Sequence, residues 1–459
     1  MTMWRCCLCL VVLVVALSSL SSAQLQNKAF VGHCQLMATE AGEQHRLTGS
    51  IIFRKEQNDD PRDITTVSVQ IEGFNLQTHA IHVHEFGDIS DKESGLSTGG
   101  HFVGGGSIDH GCPPNPERHA GDMGNWTAVQ RRITEDRDLD LLELTGEDSI
   151  LGRSVVVHER ADDCGQPVGN AGGRLGICVI GVAAQDFNRA SLEDENIRQA
   201  VAVLQPLRRA RERNLQLSGT VLIRRKNSGV LQIIARIEGL KAGTVHAIGI
   251  HHNGDVSDSA GNTAGERYNP DAHAHHLPPV VPRPWGDLGN IQSYDSEGVA
   301  WYMRDEPNIK SLSDIIGRSI VIFDDRDHGD GKGCDANGSP GPRLMMGVIG
   351  VADPQKSFDE LVPPTTLNIN NDFRSRDCED TSASSSSTAS ASSASSSSDD
   401  ADDVDTDDKD HHDGGDGGAD RKGLAVGLAF GWTIAIVAII VAIFLGIRLY
   451  KVTRVDSVA

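Results

Sequence analysis

"THAIHVHEFGD", residues 78–88, decides how the rest of the chain is read. His82 and His84 stand two positions apart in an apolar run that ends at Gly87. On a β-strand that spacing places both imidazoles on one face. A second version, "VHAIGIHHNGD", occupies residues 245–255. Aligned on the shared "HAI" and "GD", His82 becomes Gly249 and His84 becomes His251. One strand and turn are written twice, and the histidine pair only once.

The repetition extends well beyond this line. "LTGSIIFRK" (47–55) matches "LSGTVLIRR" (217–225), "SILGRSVVVHERADD" (149–163) matches "DIIGRSIVIFDDRDH" (314–328), and "GRLGICVIGVA" (173–183) matches "PRLMMGVIGVA" (342–352). Each copy is about 155 residues, the size of one domain. Short β-branched runs such as "SIIF", "TVSVQI" and "SVVV" alternate with Gly- and Asp-rich turns. That pattern predicts an all-β protein of two tandem antiparallel sandwich or barrel domains. The expected domains are 28–184 and 197–353, with an acidic connector at 185–196. "RRAR" (208–211) falls where the second copy has a β-hairpin connection, so no protease site is assigned to it.

The ends place these domains in an expected compartment. Arg5, the apolar "CLCLVVLVVAL" and the small residues "SSA" before Gln24 read as a secretory signal over residues 1–23. Outside it remain Cys34, Cys112, Cys164, Cys178, Cys334 and Cys378, an even set that favours disulfides in a secreted chain. Residues 423–447 carry no charge and exceed the roughly 20 apolar residues needed to cross a bilayer. Arg448, Lys451 and Arg454 follow, as in a cytoplasmic tail (448–459). The expectation is a single-pass type I protein of the cell membrane, its domains extracellular. Residues 381–420 are Ser- and then Asp-rich, too poor in apolar residues to fold, and 354–422 is expected to be a disordered stalk. The formal charge of −22, with no basic stripe, argues against nucleic acid as a partner. "NWT" at Asn125 and "NGS" at Asn337 are glycosylation sequons.

In copy one, His101, His110 and His119 follow at nine-residue intervals through a Gly/Pro-rich loop, Asp122 comes three after His119, and His158 ends "SVVV". A lone histidine in a sandwich is usually a satisfied polar residue. Six with an aspartate, at strand ends and loops, are a ligand set. Imidazole suits copper and zinc, and three nitrogens with one carboxylate suit tetrahedral zinc.

"HVHEFGD", "GGHF", "RHAGDMGN", "GRSVVVHERADD" and "GNAGGRLG" together resemble the copper/zinc superoxide dismutase family over residues 28–184. The resemblance implies Greek-key β-barrels, copper on His82, His84, His101 and His158, and zinc on His101, His110, His119 and Asp122. It implies that Arg174 guides the superoxide anion and that Asp162 links a copper histidine to a zinc histidine. It also implies copper cycling between two oxidation states, giving dioxygen and hydrogen peroxide, with His101 leaving copper on reduction to help deliver a proton. Copy one departs from the family in its cysteines: the interval from His84 to His101 is longer than usual and contains none. A Cys112–Cys164 bridge would tie the zinc loop to the loop bearing Asp162, and Cys34 and Cys178 could join the first and last strands. Spacing alone does not fix that connectivity.

Copy two keeps the frame and loses the ligands. His82 maps to Gly249, His101 to Arg267, His119 to Pro284 and His158 to Phe323, while His251, His275, Asp287 and Arg343 match functional positions. The cluster "HAHH" (273–276) contains the zinc-loop histidine, and its other members read as solvated. The sequence therefore points to a membrane-tethered extracellular superoxide dismutase working through copy one. Copy two is expected to be non-catalytic and to pack on copy one as a pseudo-dimer partner, with a homodimer as the other arrangement. The competing reading is a copper-binding or adhesion protein that keeps the fold.

Overall fold

The computed structural model describes residues 29–56, 64–75, 77–183, 197–294, 298–329 and 338–364, together with 367 and 369. The signal segment, connector, Asn337, Cys334, Cys378, the apolar run 423–447 and the expected stalk beyond 369 lie outside the described residues. The first residues assigned to the stalk, 354–364, are described and pack on copy two: Phe358 and Leu361 are buried with Val201, Leu222 and Ile234. Among the described residues, no helix is long and apolar enough to cross a membrane.

Copy one is built from β1 (Ala29–Gln35), β2 (Met37–Ala38), α1 (Glu40–His45), β3 (Thr48–Glu56), β4 (Thr65–Glu72), β5 (Thr78–His84), β6 (Asp122–Thr127), β7 (Arg132–Leu139), β8 (Ser154–His158), β9 (Arg174–Val179) and β10 (Gly181–Val182). Two five-stranded sheets have the orders β10-β1-β3-β4-β7 and β2-β9-β8-β5-β6. Period-two patterning forms them: on β4, Val67, Val69 and Ile71 are buried while Thr66, Ser68 and Gln70 turn outward. Each such apolar side chain contributes roughly 1.5–3 kcal/mol of burial. Cys34 on β1 is bonded to Cys178 on β9, joining the two sheets at a Cα–Cα distance of 5.5 Å.

Copy two repeats the plan with β11 (Gln199–Pro206), α2 (Arg208–Glu212), β12 (Ser218–Arg225), β13 (Leu231–Glu238), β14 (Val245–His251), β15 (Asp287–Ser293), β16 (Ala300–Glu306), β17 (Ser319–Phe323), β18 (Arg343–Val348) and β19 (Gly350–Val351). Its strand order is β12-β13-β16-β15-β14-β17-β18-β11-β19, and β11 also pairs with β12. That last pairing closes an eight-stranded antiparallel barrel with non-sequential neighbours, a Greek-key connectivity. The basic "RRAR" stretch sits in the β11–β12 connection, as expected, but carries one helical turn there.

One apolar core runs through both copies. Backbone hydrogen bonds cross between them in reciprocal pairs: Val182 N donates to Gly317 O (2.7 Å) and Val351 N to Gly152 O (2.7 Å). Likewise Gly254 N donates to Val182 O and Gly87 N to Val351 O, both at 2.8 Å. The approach requires glycine: a Cβ on Gly181 would lie 2.1 Å from Gly254 O, and one on Gly350 would lie 2.3 Å from Gly87 O.

Candidate metal centre

β5 positions the first ligands. Ile81 and Val83 point into the core, so strand alternation turns His82 and His84 to the opposite face. There they are buried at 0% and 1% exposure. The covering layer is the loop after β5: Phe102 N donates to Val83 O, Val83 N to Gly121 O (both 2.9 Å), and His101 bridges antiparallel to His84. β8 pairs with β5 and brings in His158 at its end, directly opposite Arg174 on β9.

These elements gather two sets. His82, His84, His101 and His158 form one, and His101, His110, His119 and Asp122 the other; within each set one ligand-type atom per residue lies within 4.8 Å of the others. His101 belongs to both. In the copper-type set one ring nitrogen of each histidine is held by the protein. His82 Nε2 meets Asp162 Oδ2 (2.9 Å), His84 Nδ1 meets Gly99 O (2.9 Å), and His158 Nδ1 meets Gly172 O (3.4 Å). The opposite nitrogens, His82 Nδ1, His84 Nε2 and His158 Nε2, are buried without a partner. Each such orphan costs about 1–3 kcal/mol, a cost removed when a cation accepts the lone pairs. His101 Nδ1 lies 2.8 Å from Asp122 Oδ1, which leaves its Nε2 for the first set.

The second set converges on one carboxylate. His110 Nδ1 and His119 Nδ1 lie 3.0 and 3.2 Å from Asp122 Oδ2. Their other nitrogens are tied to Asp162 Oδ1 (3.0 Å) and Ile108 O (3.1 Å). Asp162 thus holds His82 with one oxygen and His110 with the other, and Cys164 N donates to Oδ1 as well (2.7 Å). The Cys112–Cys164 disulfide anchors that loop to the His110 loop, with a Cα–Cα distance of 5.4 Å.

The electrostatics follow from this packing. Burial, with the neighbouring rings, holds the His84 and His158 imidazoles well below their ordinary value. Burial lowers His101 to about 4, against the pull of Asp122. Burial also opposes charge on His110, yet Asp122 and Asp162 together raise it to about 9. Both carboxylates sit well below the usual range, because their histidine hydrogen bonds outweigh burial. Neutral rings on His84, His101 and His158 and a charged Asp122 are the protonation states metal binding needs, whereas His110 has to give up the proton that its two carboxylates hold. The donor sets fit a nitrogen-only copper site and a three-nitrogen, one-carboxylate zinc site.

Arg174 stands at the edge of the first set. Its Nη1 donates to Gly95 O (2.7 Å) and Thr98 Oγ1 (2.6 Å), and its Nη2 to Gly99 O (2.8 Å). Gly95 and Thr98 escape sequence reasoning, since nothing in "GLST" marks them, and Gly99 stood in "GGHF" without a role. Asn125 was legible as the end of "RHAGDMGN" and as a sequon, without a structural role. Its side chain instead receives Asp162 N on Oδ1 (2.7 Å) and donates from Nδ2 to Asp162 O (2.8 Å), fixing the linking aspartate.

In copy two the corresponding strands meet a different site. His251 bridges to Arg267 as His84 bridges to His101, and Phe323 pairs with Arg343 as His158 pairs with Arg174. Among the described residues, copy two gathers no set of three or more metal-ligating groups. Arg267 Nη1 lies 3.0 Å from Asp287 Oδ1 and 2.7 Å from Asp327 Oδ2. His275 spans the same two carboxylates, at 2.7 and 2.9 Å. Of the "HAHH" cluster, only His275 reaches both of them.

Antiparallel Greek-key sheets bearing a bipartite histidine cluster define a class of all-β metalloprotein. The profile of the family described as "Copper/zinc superoxide dismutase (SODC)" matches the chain twice, at residues 47–180 and 217–349. A curated relative, the extracellular superoxide dismutase (Cu-Zn) of Drosophila melanogaster, is 35% identical over 170 residues, covering 35% of this chain and 91% of that protein. A crystal structure of the clock protein EA4 is 36% identical, covering 33% of this chain and 94% of its own, with a TM-score of 0.29. The chain belongs to the copper/zinc superoxide dismutase family, whose cofactors are copper and zinc.

Proposed function

We propose that copy one is an extracellular superoxide dismutase. The observation that carries this reading is the pair of ligand sets sharing His101, with buried, partnerless nitrogens on His82, His84 and His158. Copper held by His82, His84, His101 and His158 would supply the one-electron couple that oxidises one superoxide to dioxygen and reduces the next, with two protons, to hydrogen peroxide. Zinc would be held by His101, His110, His119 and Asp122. The chain's own part is positioning. The three acceptors on Arg174 fix its guanidinium beside the set, where its charge draws in an anion despite the acidity of the whole protein. His101 offers Nε2 as the place where a proton is held next to the substrate. Asp162 sets the ring planes of His82 and His110 together.

Copy two is non-catalytic in this account, because Arg267 and His275 fill the space between Asp287 and Asp327 with fixed positive charge. The reciprocal backbone bonds between Gly87, Gly152 and Val182 of one copy and Gly254, Gly317 and Val351 of the other support a pseudo-dimer within one chain. Secretion is supported by the name of the Drosophila relative and by two disulfides. Membrane tethering rests on the apolar run 423–447 alone.

The test is superoxide dismutation by the metal-loaded protein. Activity is expected, lost in His101→Ala and reduced about ten- to a hundredfold in Arg174→Ser through loss of substrate attraction. Full copper occupancy without activity would leave only the copper-binding reading.

A further inference from the structure

Copy two has a cavity of about 610 Å³ beside Arg267, within the range of small-molecule sites. Four arginines line it, Arg208, Arg209, Arg267 and Arg343, with His251 at its wall, against the two acids Glu212 and Glu266. Their availability differs. Arg343 is bound to Gly261 O and Gly265 O, and Arg209 Nε is bound to Asp324. Arg208 is largely exposed, its Nε 3.6 Å from Glu212. Arg267 is 7% exposed, and its Nη2 is buried without a hydrogen-bond partner.

Three of these charges are particular to copy two. Leu207 N donates to Leu344 O as Thr39 N donates to Leu175 O, so Arg208 and Arg209 stand where copy one has Glu40 and Ala41, and Arg267 stands where it has His101. His251 complements them. Its Nδ1 is bound to Gly265 O (2.9 Å), and its buried Nε2 has no partner. Burial beside Arg343 lowers this ring to about 3, so Nε2 presents a lone pair that suits a hydroxyl.

We infer that the second copy is a binding site for a hydroxyl-bearing oxyanion, a phosphate or the sulfate or phosphate ester of a sugar. Arg267 Nη2, Arg208 and Arg209 hold the anionic oxygens, and His251 Nε2 accepts from a hydroxyl. The chemistry is shared by free phosphate and by an esterified sugar, and the probes separate these two sources.

The experiment is calorimetric titration of the metal-loaded two-copy protein with inorganic phosphate, glucosamine 6-sulfate and glucosamine. Variants are Arg208→Ser/Arg209→Ser and Arg267→Lys; the second keeps a cation between Asp287 and Asp327 but removes the free donor. Arg174 is untouched in both, so whatever they lose belongs to copy two. Saturable binding of phosphate or glucosamine 6-sulfate is expected, weakened about tenfold or more in each variant, with none for glucosamine. Comparable affinity for both anions assigns free phosphate-type ligands, whereas markedly tighter glucosamine 6-sulfate assigns an esterified sugar. No saturable binding of either anion, or variants that bind as the parent does, overturns the assignment. None of these readouts involves dismutation, so the result stands apart from that of copy one.

Discussion

Asp162 has two oxygens and two imidazoles to hold, one in each metal set. Asp162→Asn keeps the shape but offers one acceptor in place of two. Copper affinity, read by competition with a chelator, is expected to fall about ten- to a hundredfold, the usual cost of losing an outer carboxylate. Asn125 behaves as a structural residue. Both ends of its amide are used on the Asp162 backbone, and Asn290 repeats the pattern on Asp327 at 3.0 and 2.7 Å. The Asn125 peptide is therefore expected to run at its unmodified mass, and Asn125→Ala to cost about 1–3 kcal/mol of stability. In copy two, Asp287 and Asp327 raise His275 to about 9 against burial. With an ordinary value near 6.5, the native state binds the extra proton between these limits. Its stabilisation is complete below about pH 6.5 and is lost as pH rises through about 9, with a slope of up to about 1.4 kcal/mol per pH unit. A His275 ring resonance that titrates near 6.5 would contradict this.

At the scale of elements, strand periodicity carried far into the site. The alternation in "THAIHVHEFGD" placed His82 and His84 on one face, and β5 does so with Ile81 and Val83 in the core. The loop histidines were legible as residues but not as places. What brings His101 against β5 is the return of backbone bonds at Val83, Phe102 and Gly121, a long-range arrangement no local pattern encodes. Arg267 was visible as a lost ligand. That its guanidinium supplies fixed charge between two carboxylates depends on Asp327, which lies sixty residues away in sequence. The Cys112–Cys164 bond pins the two loops that carry His110 and Asp162. For a separation of 52 residues, removing it with Cys112→Ser/Cys164→Ser is expected to cost roughly 2–4 kcal/mol. Thermal melting checks this, and zinc is expected to be the more readily lost of the two metals.

For the molecule as a whole, the account divides one fold between two duties. Copy one concentrates the ligands, and copy two supplies a matching surface and its own positive pocket. The glycines at the junction make the surface testable. Gly181→Val drives a side chain onto Gly254 O and is expected to separate the copies, seen as a larger radius of gyration in solution scattering. The central claim is that the chain holds one copper–zinc pair, in copy one. Metal analysis of the loaded two-copy protein and of His101→Ala tests it most directly. The account predicts one copper and one zinc per chain, with copper lost from the variant. A second equivalent of either metal, or copper fully retained without His101, would contradict it.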